Sequence, residues 1–68
     1  MRSDLVDIEV YYQHQTEKAV LVKSADDLLV WLPLSQCEIA PKPGKQLRRD
    51  EVAVLTAPQS VLEEKGLV

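Results

Sequence analysis

The sequence predicts a mainly β fold: one small five-stranded antiparallel barrel over residues 1–68, closed by a short C-terminal helix. Three observations carry this prediction. Apolar residues alternate with period two over Leu5–Tyr12 and Cys37–Ile39, the spacing that sends successive side chains to opposite faces of a strand, and Glu51–Thr56 reads as a further strand. Two denser apolar runs, Lys18–Ser24 and Leu28–Leu32, flank Ser24-Ala25-Asp26-Asp27, whose short polar side chains bond nearby backbone and favour a tight turn. Finally, 68 residues without Phe leave room for a single core built from Val, Leu and Ile with Trp31 and the tyrosines.

Taken in order, Leu5–Tyr12 puts Val6, Ile8, Val10 and Tyr12 on one face and Leu5, Asp7, Glu9 and Tyr11 on the other, the pattern of a half-buried antiparallel strand. Gln13–Glu17 is polar and reads as a short connection, which makes the first two strands hairpin neighbours. Lys18–Ser24 sets Val20 and Val22 against Ala19, Leu21 and Lys23, so both faces are largely apolar. Leu28–Leu32 resumes after the turn. Pro33 has no N–H to donate and ends that ladder, and Pro33–Gln36 reads as a single helical turn. Cys37–Ile39 is a short strand with Glu38 in water. Residues 41–50 hold two Pro, one Gly and four basic side chains, and read as a flexible basic loop. In Glu51–Thr56, Val52 and Val54 face one way, Ala53 and Leu55 the other. The expected core is Ile8, Val10, Val20, Val22, Val30, Leu32, Ile39 and Val54.

The C-terminal helix is expected over 57–66, with Pro58–Lys65 as its regular turns. Thr56 and Gln59 fit a capping box as N-cap and N3. Gly66 suits the left-handed position after the last turn, which would bring Leu67 onto Leu62 in a Schellman ending.

Charge is uneven. Residues 1–40 carry three basic against seven acidic residues, and residues 41–68 five against four, for a net charge of −3. That balance argues against a wholly basic nucleic-acid binder. The one cysteine cannot form an internal disulfide. With no apolar signal segment at the N-terminus, the cytosol is the expected compartment. No apolar run approaches the ~20 residues of a membrane span, so no membrane partner is expected.

Catalytic equipment is not apparent. His14 lies in a polar turn without an orienting partner and reads as an exposed loop residue. Cys37 sits in an apolar alternation with no base in any motif and reads as a small core residue. Asp26 and Asp27 read as turn residues, since no EF-hand or zinc spacing surrounds them. No phosphate-cradling glycine loop, Ser-His-Asp order or pair of catalytic carboxylates is present. No enzyme, metal or cofactor is expected. Trp31, between Val30 and Leu32, is expected in a core or half-core place, with an exposed binding aromatic as the alternative. Lys42, Lys45, Arg48 and Arg49 form the other candidate binding group, because four cations beside Gly and Pro can grip phosphate. The competing reading is a solvated loop that keeps an edge strand soluble.

Two resemblances bear on these residues. Over Trp31–Ile39, an apolar strand, a Pro-opened turn holding Ser35 and a short alternating strand resemble the order near the end of Src-homology-3-like barrels. There an apolar-Pro-x-Ser-x-apolar run makes a 3₁₀ turn. The blocks Thr16-Glu17-Lys18-Ala19, Val30-Trp31-Leu32-Pro33 with Ser35-Gln36, and Glu63-Glu64-Lys65-Gly66-Leu67 are similar to a group of short bacteriophage and prophage proteins without an agreed activity. The chain departs from that group at Leu34, where Lys is usual, at Cys37, where Ile is usual, and at Val61, near a usual Trp. The likeness implies a virus-derived accessory protein acting in a bacterial cytoplasm, and no catalytic residue. The resulting expectation is a non-catalytic binding module whose partner is another protein or a second copy of itself. The alternatives are an acidic inhibitor that mimics nucleic acid through the face of residues 1–40, and a weak nucleic-acid binder working through 42–49.

Overall fold

The computed structural model describes residues 5–68; the polar start expected at Met1–Asp4 lies outside them. In chain order the elements are β1 (Leu5–Gln15), β2 (Ala19–Lys23), β3 (Leu29–Pro33), β4 (Glu38–Pro41), β5 (Glu51–Pro58) and α1 (Gln59–Glu64). The strands form one antiparallel sheet in the order β3-β2-β1-β5-β4. The fold is mainly β with a short C-terminal helix, as the alternation predicts. No helix among the described residues is long and apolar enough to cross a membrane.

β1 divides its length between two neighbours. Leu5–Tyr12 pairs with β5, and Tyr11–Gln15 pairs with β2. The sheet is also forced to curl. Its edge strands, β3 and β4, are joined only by residues 34–37, and Gln36 N–H donates to the Pro33 carbonyl at 3.0 Å within that turn. Four spacings across a flat five-stranded sheet measure ~19 Å. Five Cα–Cα steps reach at most ~18 Å when fully extended, and far less in a turn. The edges are therefore brought towards one another, with no ladder between them among the described residues.

The inner face holds Val10, Val20, Val22, Val30, Leu32, Leu55 and Ala57, covered at one end by Leu62 of α1 and by Cys37. Val6, Ile8, Tyr12 and Ile39 are half-buried against this cluster. One expected core residue is on the wrong face. The β1–β5 register sets Val10 opposite Ala53, Ile8 opposite Leu55 and Val6 opposite Ala57. The buried side of β5 is therefore Ala53, Leu55 and Ala57, and Val54 lies opposite Glu9 on the outer side.

Several boundaries also move. β1 continues through Gln15, so the connection expected at 13–17 shrinks to a tight turn. In it Thr16 N–H donates to the Ala19 carbonyl at 2.8 Å, and Thr16 Oγ1 accepts the Ala19 N–H at 3.1 Å. The Ser24–Leu28 turn works as its side chains predict: Ser24 Oγ accepts the N–H groups of Asp26 and Leu28, each at 3.2 Å. Asp27 takes a left-handed φ of 63°, which Asp tolerates. β4 begins at Glu38, after Cys37, and extends to Pro41.

β5 runs on through Pro58, and this removes the expected capping box. Pro58 is the N-cap, without a side-chain cap bond, and α1 spans only Gln59–Glu64. The Thr56 hydroxyl instead donates to Asp7 Oδ1 at 2.6 Å across the β1–β5 pair. The C-terminal end follows the sequence. Gly66 has φ 76°, its N–H donates to the Glu63 carbonyl at 3.1 Å, and Leu67 N–H donates to the Leu62 carbonyl at 2.8 Å. These are the two bonds of a Schellman ending.

Candidate functional site

The outer face of β1, β2 and β3 presents an apolar and aromatic surface. Registers place its residues in rows across the strands. His14 is opposite Leu21, and Leu21 is opposite Trp31. One step along, Tyr11 is opposite Lys23, and Lys23 is opposite Leu29. Trp31 is 48 % exposed and Leu29 57 %. Trp31 is therefore an exposed aromatic and not the core or half-core residue expected of it, because the core side of β3 belongs to Val30 and Leu32.

His14 reaches this face through an irregularity. The β1–β2 register shifts between Tyr12, opposite Val22, and His14, opposite Leu21. One extra residue, Gln13, reverses the inside–outside alternation beyond it. Without that bulge His14 would oppose Val20 and point inward. With it, the imidazole meets the Trp31 indole edge-on, with ring centroids 6.3 Å apart at 89°. The bulged Gln13 is itself tied down, donating from Nε2 to Asp50 Oδ1 at 2.8 Å.

The second row is charged at its centre. Lys23 Nζ lies 6.0 Å from the Tyr11 ring centroid and within ion-pair distance of Asp27 (3.8 Å) and Asp50 (3.6 Å). The Asp50 carboxyl is held below the usual range chiefly by the Gln13 amide; desolvation opposes this, and the Lys23 ammonium adds to the lowering. Asp50 also has a left-handed φ of 65°, and its N–H donates to the Tyr12 carbonyl at 2.7 Å. The end of the 42–50 loop is thereby pinned beside the Tyr11 end of the patch.

The four basic loop residues do not act as one cluster. Lys42 is ion-paired with Glu9 on the outer face of β1. Arg48 donates from Nη2 to Gln46 Oε1 at 3.1 Å. Lys45, Arg48 and Arg49 are exposed. The acidic face of residues 1–40 is likewise engaged in part: Glu9 by Lys42, Asp7 by Thr56, and Asp27 by Lys23.

A shallow cleft of ≈ 500 Å³ lies between the start of α1 and the β3–β4 turn, bordered by Leu34, Cys37, Thr56, Pro58 and Val61. Cys37 is buried there, and its thiol donates to the Pro33 carbonyl at 3.3 Å. Burial pushes the thiol pKa up, so the sulfur stays protonated at neutral pH. Among the described residues no three His, Cys, Asp or Glu side chains gather as a metal-binding group.

Tyr11, His14, Leu21 and Leu29 join Trp31 in a surface that sequence reasoning located only at Trp31. The signal for Tyr11 was present, because alternation already placed it with Asp7 and Glu9 on the polar side. The bulge that recruits His14 leaves no comparable mark. No protein-family model, curated protein or solved structure matches the chain.

Proposed function

We propose that this chain is a non-catalytic protein-binding module that contacts its partner through the Tyr11–His14–Leu21–Trp31 face, and that it is a phage- or prophage-derived accessory protein acting in a bacterial cytoplasm. The single observation that carries the binding reading is the half-bare indole of Trp31 at the end of an apolar row. Trp and Tyr on well-packed strands are the side chains that supply most interface energy, because they bury a large area with few rotors to freeze. The viral origin rests on the three sequence blocks. The nucleic-acid reading is weaker, since Lys42 is neutralised by Glu9 and the remaining loop cations face a chain of net charge −3. The nucleic-acid-mimic reading is weaker for a related reason: Asp7 and Glu9 are occupied by Thr56 and Lys42.

The test is retention from a bacterial lysate on immobilised wild type and on a Tyr11→Ala/Trp31→Ala double variant, with labelled single- and double-stranded DNA as a parallel probe. A protein held by the wild type and lost by the double variant is the expected result. Retention of no protein, or equal retention by both, would sink the reading. DNA affinity tighter than ~10 μM at physiological salt would promote the nucleic-acid alternative.

A further inference from the structure

The strand that carries Trp31 is also an open edge, and its backbone is arranged for pairing. Leu34 N–H donates to the Lys18 carbonyl at 2.8 Å, and Ser24 N–H donates to the Leu28 carbonyl at 2.9 Å. These two bonds bracket β3. Antiparallel ladder bonds recur at every second residue pair, so inside the strand they fall on Val20–Leu32 and Val22–Val30. Leu29 and Trp31 aim their backbone groups the other way, into the open edge, while the Pro33 carbonyl is taken by the Gln36 N–H and the Cys37 thiol. This is also why β3 tolerates Pro33: the missing N–H is one that β2 does not use.

The two edges of the sheet differ in how they are protected. β4 is four residues long, carries Glu38 and ends at Pro41. Charge, shortness and proline are the features that keep an edge single. β3 is one residue longer and also ends in proline, but it reads Leu-Val-Trp-Leu-Pro, without a charge, and its outward side chains Leu29 and Trp31 are about half bare. Such an edge is a template for another strand.

We propose that β3 pairs with β3 of a second copy of this chain, antiparallel about a two-fold axis at Val30. In this register Leu29 and Trp31 of one copy each donate to and accept from Trp31 and Leu29 of the other, four bonds that leave the Pro33 carbonyl to Gln36 and Cys37. A two-fold centred on Pro33 lacks its donors, and one centred on Leu29 runs Trp31 into the Asp27 turn. No charge lies on either edge, so the copies meet without a like-charge pair despite the net charge of −3 on each. The outer row His14–Leu21–Trp31 then continues across the axis onto the second copy.

The area decides the strength. Trp31, Leu29 and Leu28 are 48 %, 57 % and 45 % exposed. With the backbone strip, each copy would cover roughly 400–500 Å², about 800–1,000 Å² in total, the lower limit of a specific interface. The dimer is accordingly a reversible one, with a dissociation constant in the micromolar range or weaker. This inference goes beyond the binding reading and stands without it.

The experiment is sedimentation equilibrium of the full chain from about 1 μM to about 1 mM, a span that brackets such affinities. The wild type should move from 7.7 kDa towards twice that mass. Leu29→Pro removes an edge N–H that β2 does not need, and Trp31→Lys places two ammonium groups across the axis. Each should weaken association at least about tenfold while keeping the wild-type circular dichroism at low concentration. If Leu29→Pro fails to fold, Trp31→Lys decides, since its side chain lies outside the core. A wild type that stays monomeric at about 1 mM overturns the proposal, as does a dimer that persists unchanged in a folded variant. A wild type that dimerises but retains no lysate protein counts against the binding reading alone.

Discussion

The face of β5 that enters the core is testable by a pair of neighbouring truncations, Leu55→Ala and Val54→Ala. Leu55 is fully buried between Ile8 on β1 and Ile39 on β4. Removing its three outer carbons forfeits about 2.4 kcal/mol of transfer free energy at ~0.8 kcal/mol per methylene. A residual cavity raises the loss to about 3 kcal/mol, within the range for buried Leu→Ala. Val54 is half-buried on the outer side, between Glu9 and Ala40. Losing its two methyl groups there should cost only about 0.5–1 kcal/mol. At roughly 0.05–0.15 kcal/mol per residue a domain of 68 residues has about 3–10 kcal/mol in total, so the first change takes a large share and the second a minor one. In thermal melts this predicts a fall of about 12–24 °C for Leu55→Ala and a few degrees for Val54→Ala. Urea titration with an unchanged m-value is the assay of choice, because it separates lost stability from a changed unfolded state. Equal losses, or a larger loss for Val54→Ala, would show that the β1–β5 register is shifted by one residue.

Two further outcomes follow from local geometry. Gly66→Val should destabilise the chain by about 1–2 kcal/mol, and Gly66→Asn by less, because the left-handed φ of 76° penalises a β-branched residue most. The nearest side-chain atom to an added Cβ, Leu28 Cδ2, is at 3.6 Å, so the cost is backbone strain rather than a clash; matched melting temperatures for the two variants would refute this. Asp50 has a folded pKa below its usual value, so its carboxylate favours the fold above the ordinary aspartate range and loses that contribution as pH falls through it. Asp50→Asn keeps the left-handed turn but removes the titration. The melting temperatures of wild type and variant should differ at neutral pH and converge once the pH has fallen through the lowered folded pKa of Asp50. Equal melting temperatures at every pH would mean that Asp50 acts through its turn alone, and a constant gap would refute the titration.

How much was legible depended on contrast between faces. In Leu5–Tyr12 the polar residues Asp7 and Glu9 mark one side, and the structure buries the other, as alternation requires. In Glu51–Thr56 the stretch Val52–Leu55 is apolar on both sides, so period two establishes a strand without saying which side is wet. The choice falls to the register with β1, which brings Leu55 against Ile8. The expected capping box failed for a similar reason: Thr56 and Gln59 have the right spacing, but pairing with β1 keeps the chain extended through Pro58. At the candidate site, Trp31 was visible as the lone Trp, whereas its neighbours are assembled from three strands and depend on the bulge at Gln13.

The sequence by itself determined the number and order of strands, the Ser24–Leu28 turn and the Gly66 helix ending. Each of these rests on interactions among residues a few positions apart: alternation along one strand, a hydroxyl reaching a nearby N–H, a glycine free to take positive φ. Only the tertiary structure decided the buried side of β5, the extension of β1 past Tyr12, the exposure of Trp31 and the open edge of β3. Those depend on which strand lies beside which and in what register. That choice is set by the free energy of burying the whole apolar face at once, a quantity no local window contains.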